Sequence, residues 1–266
     1  MLASTKIIKK TAKTVLREKI PVSLAVSTVI MSVQIVFLYM CSTLSTVIGS
    51  AAATFLFVLL EILIVSPLFL SALRFFRRLQ WGTEDKVISV FEIFANKGFY
   101  KRALRFTFSV ALRIFGIALL LFIPYTFFRL LTSNAFYEQL GLAMPVWAAN
   151  FELVPVFLRT IADVALFFIM LRYYLAPFLF VADEEMEPAE ALITSKIISR
   201  RTSFDYFSLI LSFIPLILLS VFIMPLLFTM PYFIMAYLVH CRFAVAQYNS
   251  VLDGLNNKTP SYSADF

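Results

Sequence analysis

The chain has 266 residues, of which 61% are hydrophobic and only 15% are charged. Soluble domains average about 45–50% apolar and about 25% charged residues, so this composition excludes an ordinary soluble globular protein. The net charge is +7. Because the basic residues cluster beside apolar segments, the expected partner is the anionic face of a lipid bilayer, and no nucleic acid is expected.

Residues 1–20 are typical of a basic amphipathic helix that lies on a membrane surface. Five basic side chains share one face of this helix: Lys6, Lys9, Lys10, Lys13 and Arg17. Ile8, Ala12 and Val15 lie on the other face. The pattern predicts a membrane-surface basic face that contacts anionic lipid headgroups, and a solvated basic tail is the alternative.

Six apolar spans are predicted, because crossing a bilayer takes about 20 helical residues at about 1.5 Å each. The first four are residues 20–40, 51–73, 106–128 and 151–181. Residues 204–248 would form a single helix of about 65 Å, which is too long for one span, so they predict two. Pro225 and Pro231 place the predicted reversal between them near residues 222–230.

Two connections between spans also carry an amphipathic helical pattern. Within residues 86–95, apolar side chains recur at helical spacing: Val87, Val90, Phe91 and Phe94. Residues 188–201 form the second such segment, with Pro188 suited to its first turn. Together with residues 6–17, these segments predict an all-α polytopic membrane protein. Its six transmembrane helices form three hairpins, each preceded by a cytoplasmic amphipathic helix.

The whole chain, residues 1–266, is expected to be one membrane domain. Its predicted parts are a basic helix with the first hairpin (1–73), an interfacial helix with the second hairpin (74–181), an amphipathic helix with the third hairpin (182–250) and a cytoplasmic tail (251–266). The alternate connections, residues 43–50, 130–150 and 222–230, contain no Lys or Arg. The positive-inside rule therefore predicts a multi-pass protein of the plasma membrane with both termini in the cytoplasm.

A distinctive pattern begins after the fourth predicted span. It consists of Tyr173, Tyr174, Ala176, Pro177 and Phe178, followed by Ala182 and Asp183. It continues through Glu190, Ala191 and Ser195, then Leu209, Leu211, Ser212 and Phe213, and then Pro231 and Tyr232. This pattern resembles the "YYxAPF…AD" and "L-x-LSF" stretches of the bacterial membrane family called domain of unknown function 975.

The resemblance is specific over residues 173–250 and only topological before them. It implies a six-span bacterial integral membrane protein, and it brings no activity, cofactor or catalytic residue. One departure is that the family usually turns between its last two spans on Gly, whereas this chain offers Pro225.

Four titratable side chains within apolar segments form a candidate intramembrane polar site: Glu61, Arg159, Asp163 and His240. Charged groups inside a bilayer are costly and are usually paired or functional. Arg159 and Asp163 are one helical turn apart and can pair with each other. Because their predicted depths match, we expect Glu61 to pair with Arg159 or His240, and a protonated Glu61 bonded to a hydroxyl is the alternative. For His240, a proton relay and a packed hydrogen bond between helices are both open.

Signatures of catalysis are missing from the sequence. It has no H-E-x-x-H motif, no G-x-S-x-G motif and no phosphate-binding loop, and its single histidine cannot build a His-rich metal site. Cys41 and Cys241 fit no metal-ligand spacing. The acidic residues within 183–187 could bind a divalent cation, with a solvated turn as the alternative. We expect no enzyme, no cofactor and no metal site.

The sequence leaves two classes of function open. The first is a transport-related or export-related component, or an accessory to one, with a polar path through the four candidate residues. The second is a non-catalytic membrane scaffold whose surface helices contact lipid headgroups or a membrane-protein partner. Only six glycines are present, which argues against a transporter built on helices broken at glycine.

Overall fold

The computed structural model describes residues 5–82, 86–143, 145–146, 148, 151, 153–219 and 223–256. These residues form helices and no strand. Six helices in the described part are long and apolar enough to cross a membrane: Ile20–Val47, Ser50–Gln80, Lys97–Leu131, Leu153–Met170, Pro188–Leu219 and Pro225–Val251. The predicted all-α class and the six predicted apolar spans are therefore confirmed.

The first two helices are a short polar one and a long apolar one. Helix α1 is Thr5–Glu18, and α2 is Ile20–Ile48 with Pro21 in its first turn. Gly49 ends α2 with a φ of +86°, in the left-handed region where a side chain would be strained. Helix α3, Ser50–Leu60, then packs back along α2.

The second span contains one turn of wider helix. A π-helix, Glu61–Val65, joins α3 to α4, which is Ser66–Gln80. Pro67 has no N–H to donate to the carbonyl of Leu63, four residues earlier. That carbonyl accepts a hydrogen bond from the hydroxyl of Tyr100 at 3.0 Å. A local proline and a donor from a distant helix thus accompany the irregular turn.

The connection after α4 differs from the single helix predicted over residues 86–95. A 3-10 helix, Val87–Phe91, is followed by one α-helical turn, α5, Glu92–Ala95. The side chain of Asn96 then accepts hydrogen bonds from the N–H groups of Gly98 and Phe99. This N-cap begins the 35-residue helix α6, Lys97–Leu131, and separates it from the short helical segment before it.

The fourth span is interrupted, whereas the sequence predicted a continuous helix over residues 151–181. Helix α7, Asn134–Gln139, precedes it, and α8, Leu153–Met170, forms its longer part. Residues 171–175, hereafter the break, are not helical. The chain resumes in α9, Ala176–Ala182, whose first turn contains Pro177. A proline fits there because the first N–H groups of a helix have no partner within it.

The last two spans are α10, Pro188–Leu219, and α11, Ile223–Asn256. The segment predicted as an amphipathic helix, residues 188–201, is continuous with the fifth span and not a separate helix. The reversal was predicted near residues 222–230. Residues 223–230 are helical, and residues 220–222 lie outside the described residues. The end of the predicted tail, residues 257–266, lies outside them as well.

The closest packing surrounds the short helix α9. Its Phe178, Leu179, Phe180 and Val181 are all buried. They pack in one cluster with buried apolar residues of α4, α10 and α11. By contrast, α6 and α8 contact each other, and few residues of their apolar parts are buried. The described helices therefore form one dense centre with more open helices beside it.

Candidate intramembrane site

The break is stabilised by hydroxyl groups from the last two helices. The hydroxyls of Ser195 and Ser199 donate to the carbonyl of Arg172 at 3.2 and 2.7 Å. The Tyr237 hydroxyl donates to the carbonyl of Tyr174 at 2.7 Å. A buried carbonyl without a donor is costly, so non-helical backbone inside a packed region must find donors elsewhere in the protein. Side chains of α10 and α11 meet that requirement here.

A buried polar network lies directly behind the break. The hydroxyl of Tyr174 is 2.7 Å from the Thr202 hydroxyl and 3.0 Å from Nε2 of His240. The ring of Tyr206 stacks on the ring of Tyr174, with centroids 4.1 Å apart and planes 8° apart. His240 is 0% exposed. Its contacts are those of a packed, hydrogen-bonded histidine between helices, the second of the two roles considered from the sequence.

Arginine side chains form hydrogen bonds with the C-terminal end of α9. Arg77 donates to the carbonyl of Val181 at 2.8 Å. Arg102 donates to the carbonyls of Phe180 and Met186 at 3.0 and 3.1 Å. Its guanidinium also lies 4.4 Å from the ring centroid of Phe180. The last carbonyls of a helix carry partial negative charge, so cations bind favourably there.

The acidic turn after α9 takes part in this arginine cluster. Arg102 also donates to the carbonyl of Asp183, and Arg74 pairs with the carboxylate of Glu184. The Asp183 carboxylate accepts the N–H of Glu185 at 2.8 Å. Within the described residues no group of three or more His, Cys, Asp or Glu side chains is placed to hold a metal. The turn therefore has a structural role around α9.

On the other side of the break lies an apolar cavity of about 600 Å³. Its walls come from α2, the π-helix, α4, α6, the break, α9 and α11. Tyr173 and Pro177 line it from the interrupted fourth span, and Glu61 and Val65 line it from the π-helix. Residues of the π-helix and of the interrupted fourth span thus line the same cavity.

Glu61 is the one charged side chain among the described residues that line this cavity. Nε2 of Gln34 lies 3.4 Å from its Oε2, at the long end of a hydrogen bond. A carboxylate has capacity for about four hydrogen bonds. Most of the hydrogen bonds that the Glu61 carboxylate can accept are therefore available to a molecule that enters the cavity.

The polar site predicted from the sequence is not assembled. Arg159 and Asp163 pair with each other, with Nε to Oδ2 at 3.7 Å, and both side chains are more than half exposed. His240 faces Tyr174, and Glu61 faces Gln34. Equal depth did not bring these groups together, because depth says nothing about the direction in which a side chain leaves its helix. The expected pairing of Glu61 with Arg159 or His240 is wrong.

Four of the five basic side chains predicted on one face of α1 are exposed. Lys6, Lys10, Lys13 and Arg17 are exposed. Lys9 turns inward: its amine donates to the carbonyl of Ser212 at 2.6 Å and lies 4.4 Å from the ring centroid of Phe213. Burial lowers the pKa of the Lys9 amine from its ordinary value.

The opposite side of α1 is buried at Ile8, Ala12 and Leu16, and it packs on α11. The sequence had placed Val15 on that face. Because Leu16 is four residues after Ala12, the buried stripe keeps helical spacing. Helix α1 is thus attached to the last helix of the protein and does not stand apart from the bundle.

Sequence reasoning missed Gln34, Tyr173 and Pro177 as lining residues of the cavity. A local signal was present in each irregular span, since Pro67 follows Glu61 by six residues and Pro177 interrupts an apolar run. What the sequence did not show is which distant hydroxyl would satisfy each freed carbonyl. Comparison of the chain with protein-family models, with curated proteins and with solved structures found no match.

Proposed function

We propose that this protein is a transport-related or export-related membrane component, or an accessory to one, that binds an amphiphilic amine in the cavity beside Glu61. The observation that carries the proposal is that the π-helix and the break open on one cavity. π-Helical turns occur frequently at functional sites, and discontinuous membrane helices form the substrate sites of many transporters. The proposed function is non-catalytic.

The chemistry of the cavity supports an apolar ligand with one cationic group. Its volume of about 600 Å³ falls in the range of about 300–1,000 Å³ typical of small-molecule sites. Phe69, Val110 and Ile114 contribute apolar surface, while Glu61 and Gln34 supply the polar end. A protonated amine would form charge-assisted hydrogen bonds with the carboxylate. Those bonds would offset the high cost of a charged group among apolar side chains.

The proposal includes a membrane arrangement. We place three hairpins in a plasma membrane, with both termini in the cytoplasm, as the distribution of Lys and Arg predicts. Contacts of α2 with α3, of α6 with α8 and of α10 with α11 support the pairing of successive spans. Membership of the bacterial family that residues 173–250 resemble stays a prediction.

The test is binding of rhodamine 6G, an apolar cation with N–H donors, to the protein in nanodiscs. Fluorescence polarisation would give Kd for the wild type and for Glu61→Gln. A hydrogen bond to a charged group contributes about 1.5–3 kcal/mol, so we expect Kd to rise about 10-fold to 100-fold. Asp163→Asn, which neutralises an exposed carboxylate on α8, is the matched control and should leave Kd unchanged.

The neutral dye N-phenyl-1-naphthylamine separates recognition of charge from simple partition into the cavity. Its affinity should be the same for the wild type and Glu61→Gln. Equal losses for both dyes, or equal effects of Glu61→Gln and Asp163→Asn, would contradict a specific role of Glu61. Absence of saturable rhodamine 6G binding to the wild type would contradict the proposed function itself.

A second candidate function is a non-catalytic scaffold that contacts anionic headgroups. The exposed basic residues of α1 favour it: Lys6, Lys10, Lys13 and Arg17. For the test, Lys13→Cys is made in a chain with Cys41→Ala and Cys241→Ala, and maleimide labelling is timed in vesicles. Under this function, adding phosphatidylglycerol to phosphatidylcholine vesicles slows labelling at position 13. An unchanged rate would count against contact with anionic headgroups.

A further inference from the structure

Three basic side chains meet beside the break, on the side away from Glu61. Arg172, Lys196 and Arg200 line a cavity of about 400 Å³ together with Ile197. All three basic residues are exposed. Like charges at such short separations repel each other. The arrangement is therefore one that a negatively charged group would stabilise.

The position of Arg172 is fixed by the fold. Lys196 and Arg200 are four residues apart and lie on one face of α10. On the neighbouring face, the hydroxyls of Ser195 and Ser199 hold the carbonyl of Arg172. The same two hydrogen bonds that satisfy the break thus bring a third cation to the pair on α10.

None of these three cations is neutralised within the part of the chain that the structure describes. The ion pairs formed there join Arg74 to Glu184 and Arg159 to Asp163. A phosphate group could accept hydrogen bonds from two guanidinium groups and an ammonium at once. The cluster therefore has the composition of an anion site.

An apolar cavity continues from the basic one. It has a volume of about 290 Å³ and shares Ile197 and Arg200 with its neighbour. Ala244, Tyr248 and Val251 of α11 line its other side. A charged space and an apolar space joined at two shared residues match a ligand with an anionic head and a hydrocarbon chain. Free phosphate would fill only the first.

We propose that Arg172, Lys196 and Arg200 bind the phosphate of an anionic phospholipid, with an acyl chain along Ile197, Ala244 and Val251. Basic pockets between membrane helices are known to take anionic lipid headgroups. The site is separate from the Glu61 cavity and does not depend on the function proposed for that cavity. It also differs from the basic face of α1, because its cations come from two segments of the chain and line one cavity.

The test is native mass spectrometry of the detergent-purified protein titrated with phosphatidylglycerol or phosphatidylcholine. For the wild type we expect at least tenfold tighter binding of phosphatidylglycerol. The triple variant Arg172→Gln, Lys196→Gln, Arg200→Gln should lose this preference. The matched control is Lys97→Gln, Lys101→Gln, Arg105→Gln, which removes the same charge from exposed positions of α6. It should keep the preference.

Two further arms separate the possible explanations. Millimolar inorganic phosphate should not displace phosphatidylglycerol; displacement would identify a free-anion site and overturn the proposal. Ile197→Asn changes the apolar wall at an exposed position without touching a charge. It should weaken binding of long-chain phosphatidylglycerol and leave that of a dibutanoyl analogue unchanged.

Folding of each variant is checked by circular dichroism and by gel filtration. If the triple variant does not fold, Arg200→Gln replaces it, with Arg105→Gln as its control, and a severalfold loss is expected. An equal preference for both lipids in the wild type, or equal losses in the basic-site variant and its control, would refute the site. These results are independent of whether Glu61 binds an amine.

Discussion

The last span and the third span are both long apolar helices, yet their surroundings differ sharply. In the apolar part of Pro225–Val251, 56% of the residues are buried within the protein, compared with 6% in Lys97–Leu131. Apolar composition therefore does not distinguish a helix that faces protein from one that faces lipid. A side chain that faces protein packs against particular neighbours. A side chain that faces lipid can be replaced by another apolar side chain of similar size.

The side chains of these two regions also differ in the contacts that they make. Around α9 and α11, Phe180, Tyr174 and His240 have assigned partners. Along the outer parts of α6 and α8, side chains such as Phe115 and Phe157 contact little protein. We therefore expect the effect of a substitution on stability to depend on whether the residue lies in the packed centre or in the exposed outer region, and not on its residue type. The following four predictions test that difference, beginning with the largest expected effect.

Phe180→Ala should cause the greatest loss of stability. The ring is fully buried, stacks on Phe106 with centroids 4.5 Å apart and lies under the guanidinium of Arg102. Removing a core phenyl group costs about 3–5 kcal/mol. The measurement is the free energy of unfolding in mixed micelles, from titration with dodecyl sulfate followed by circular dichroism. Phe115→Ala, at a position 63% exposed, should change it by less than about 1 kcal/mol.

If Phe180→Ala and Phe115→Ala lowered the free energy of unfolding equally, α9 would not be the centre of the fold. The two variants remove the same side chain, so intrinsic differences between residue types do not enter the comparison. The contrast then rests on the burial of Phe180 and on its contacts with Phe106 and Arg102.

Arg102→Ala should have the next largest effect. Its guanidinium satisfies carbonyls of Phe180 and Met186 and one in the acidic turn. Loss of hydrogen bonds from a charged donor to these groups is expected to cost about 2–3 kcal/mol. Thermal unfolding in detergent would report it. Arg105→Ala, one turn further along α6 and exposed, is the control, and an equal shift in Tm for both variants would count against the arginine cluster.

Tyr237→Phe tests whether the break depends on its distant donors. The substitution removes only the hydroxyl that bonds to the carbonyl of Tyr174. A buried carbonyl left without a donor costs about 1–3 kcal/mol, so we expect a loss near the lower end of that range. Hydrogen–deuterium exchange should rise specifically in residues 171–175. Tyr39→Phe, 70% exposed, should change neither quantity.

The smallest expected effect belongs to the ion pair of α8. Arg159 and Asp163 are exposed and one helical turn apart. Where such a pair faces water, it contributes about 0.3–0.5 kcal/mol. A double-mutant cycle with Arg159→Ala and Asp163→Ala would measure their coupling free energy. A coupling above about 2 kcal/mol would mean that these groups face a dry environment, and it would weaken the division between a specific centre and an exposed outer region.

Apolar length predicted the six spans well, because covering a hydrocarbon core requires about 20 apolar residues whatever the neighbours are. It failed where the backbone leaves regular geometry. The fourth span breaks without any glycine, since the hydroxyls of Ser195, Ser199 and Tyr237 satisfy the freed carbonyls from other helices. Those donors are distant in sequence, and no local pattern marks them.

The candidate site shows a related limit. Glu61 was correctly singled out as a polar group within an apolar span, and it lines the cavity. Its neighbour is Gln34 of the first span. The π-helix changes the direction in which side chains leave the helix after Glu61, so a count of residues along a regular helix could not predict which groups meet.

The contact between Lys9 and Ser212 can form only late in the synthesis of the protein. The two residues are 203 positions apart, and α1 packs on the last helix. At about 5–20 residues per second, the ribosome needs about 10–40 seconds to synthesise the intervening chain. Throughout that interval α1 can contact α2 but lacks α10 and α11, its other partner helices. Its lysines and its apolar stripe suit binding to an anionic membrane surface, so we expect α1 to lie on the membrane until the last helix is made.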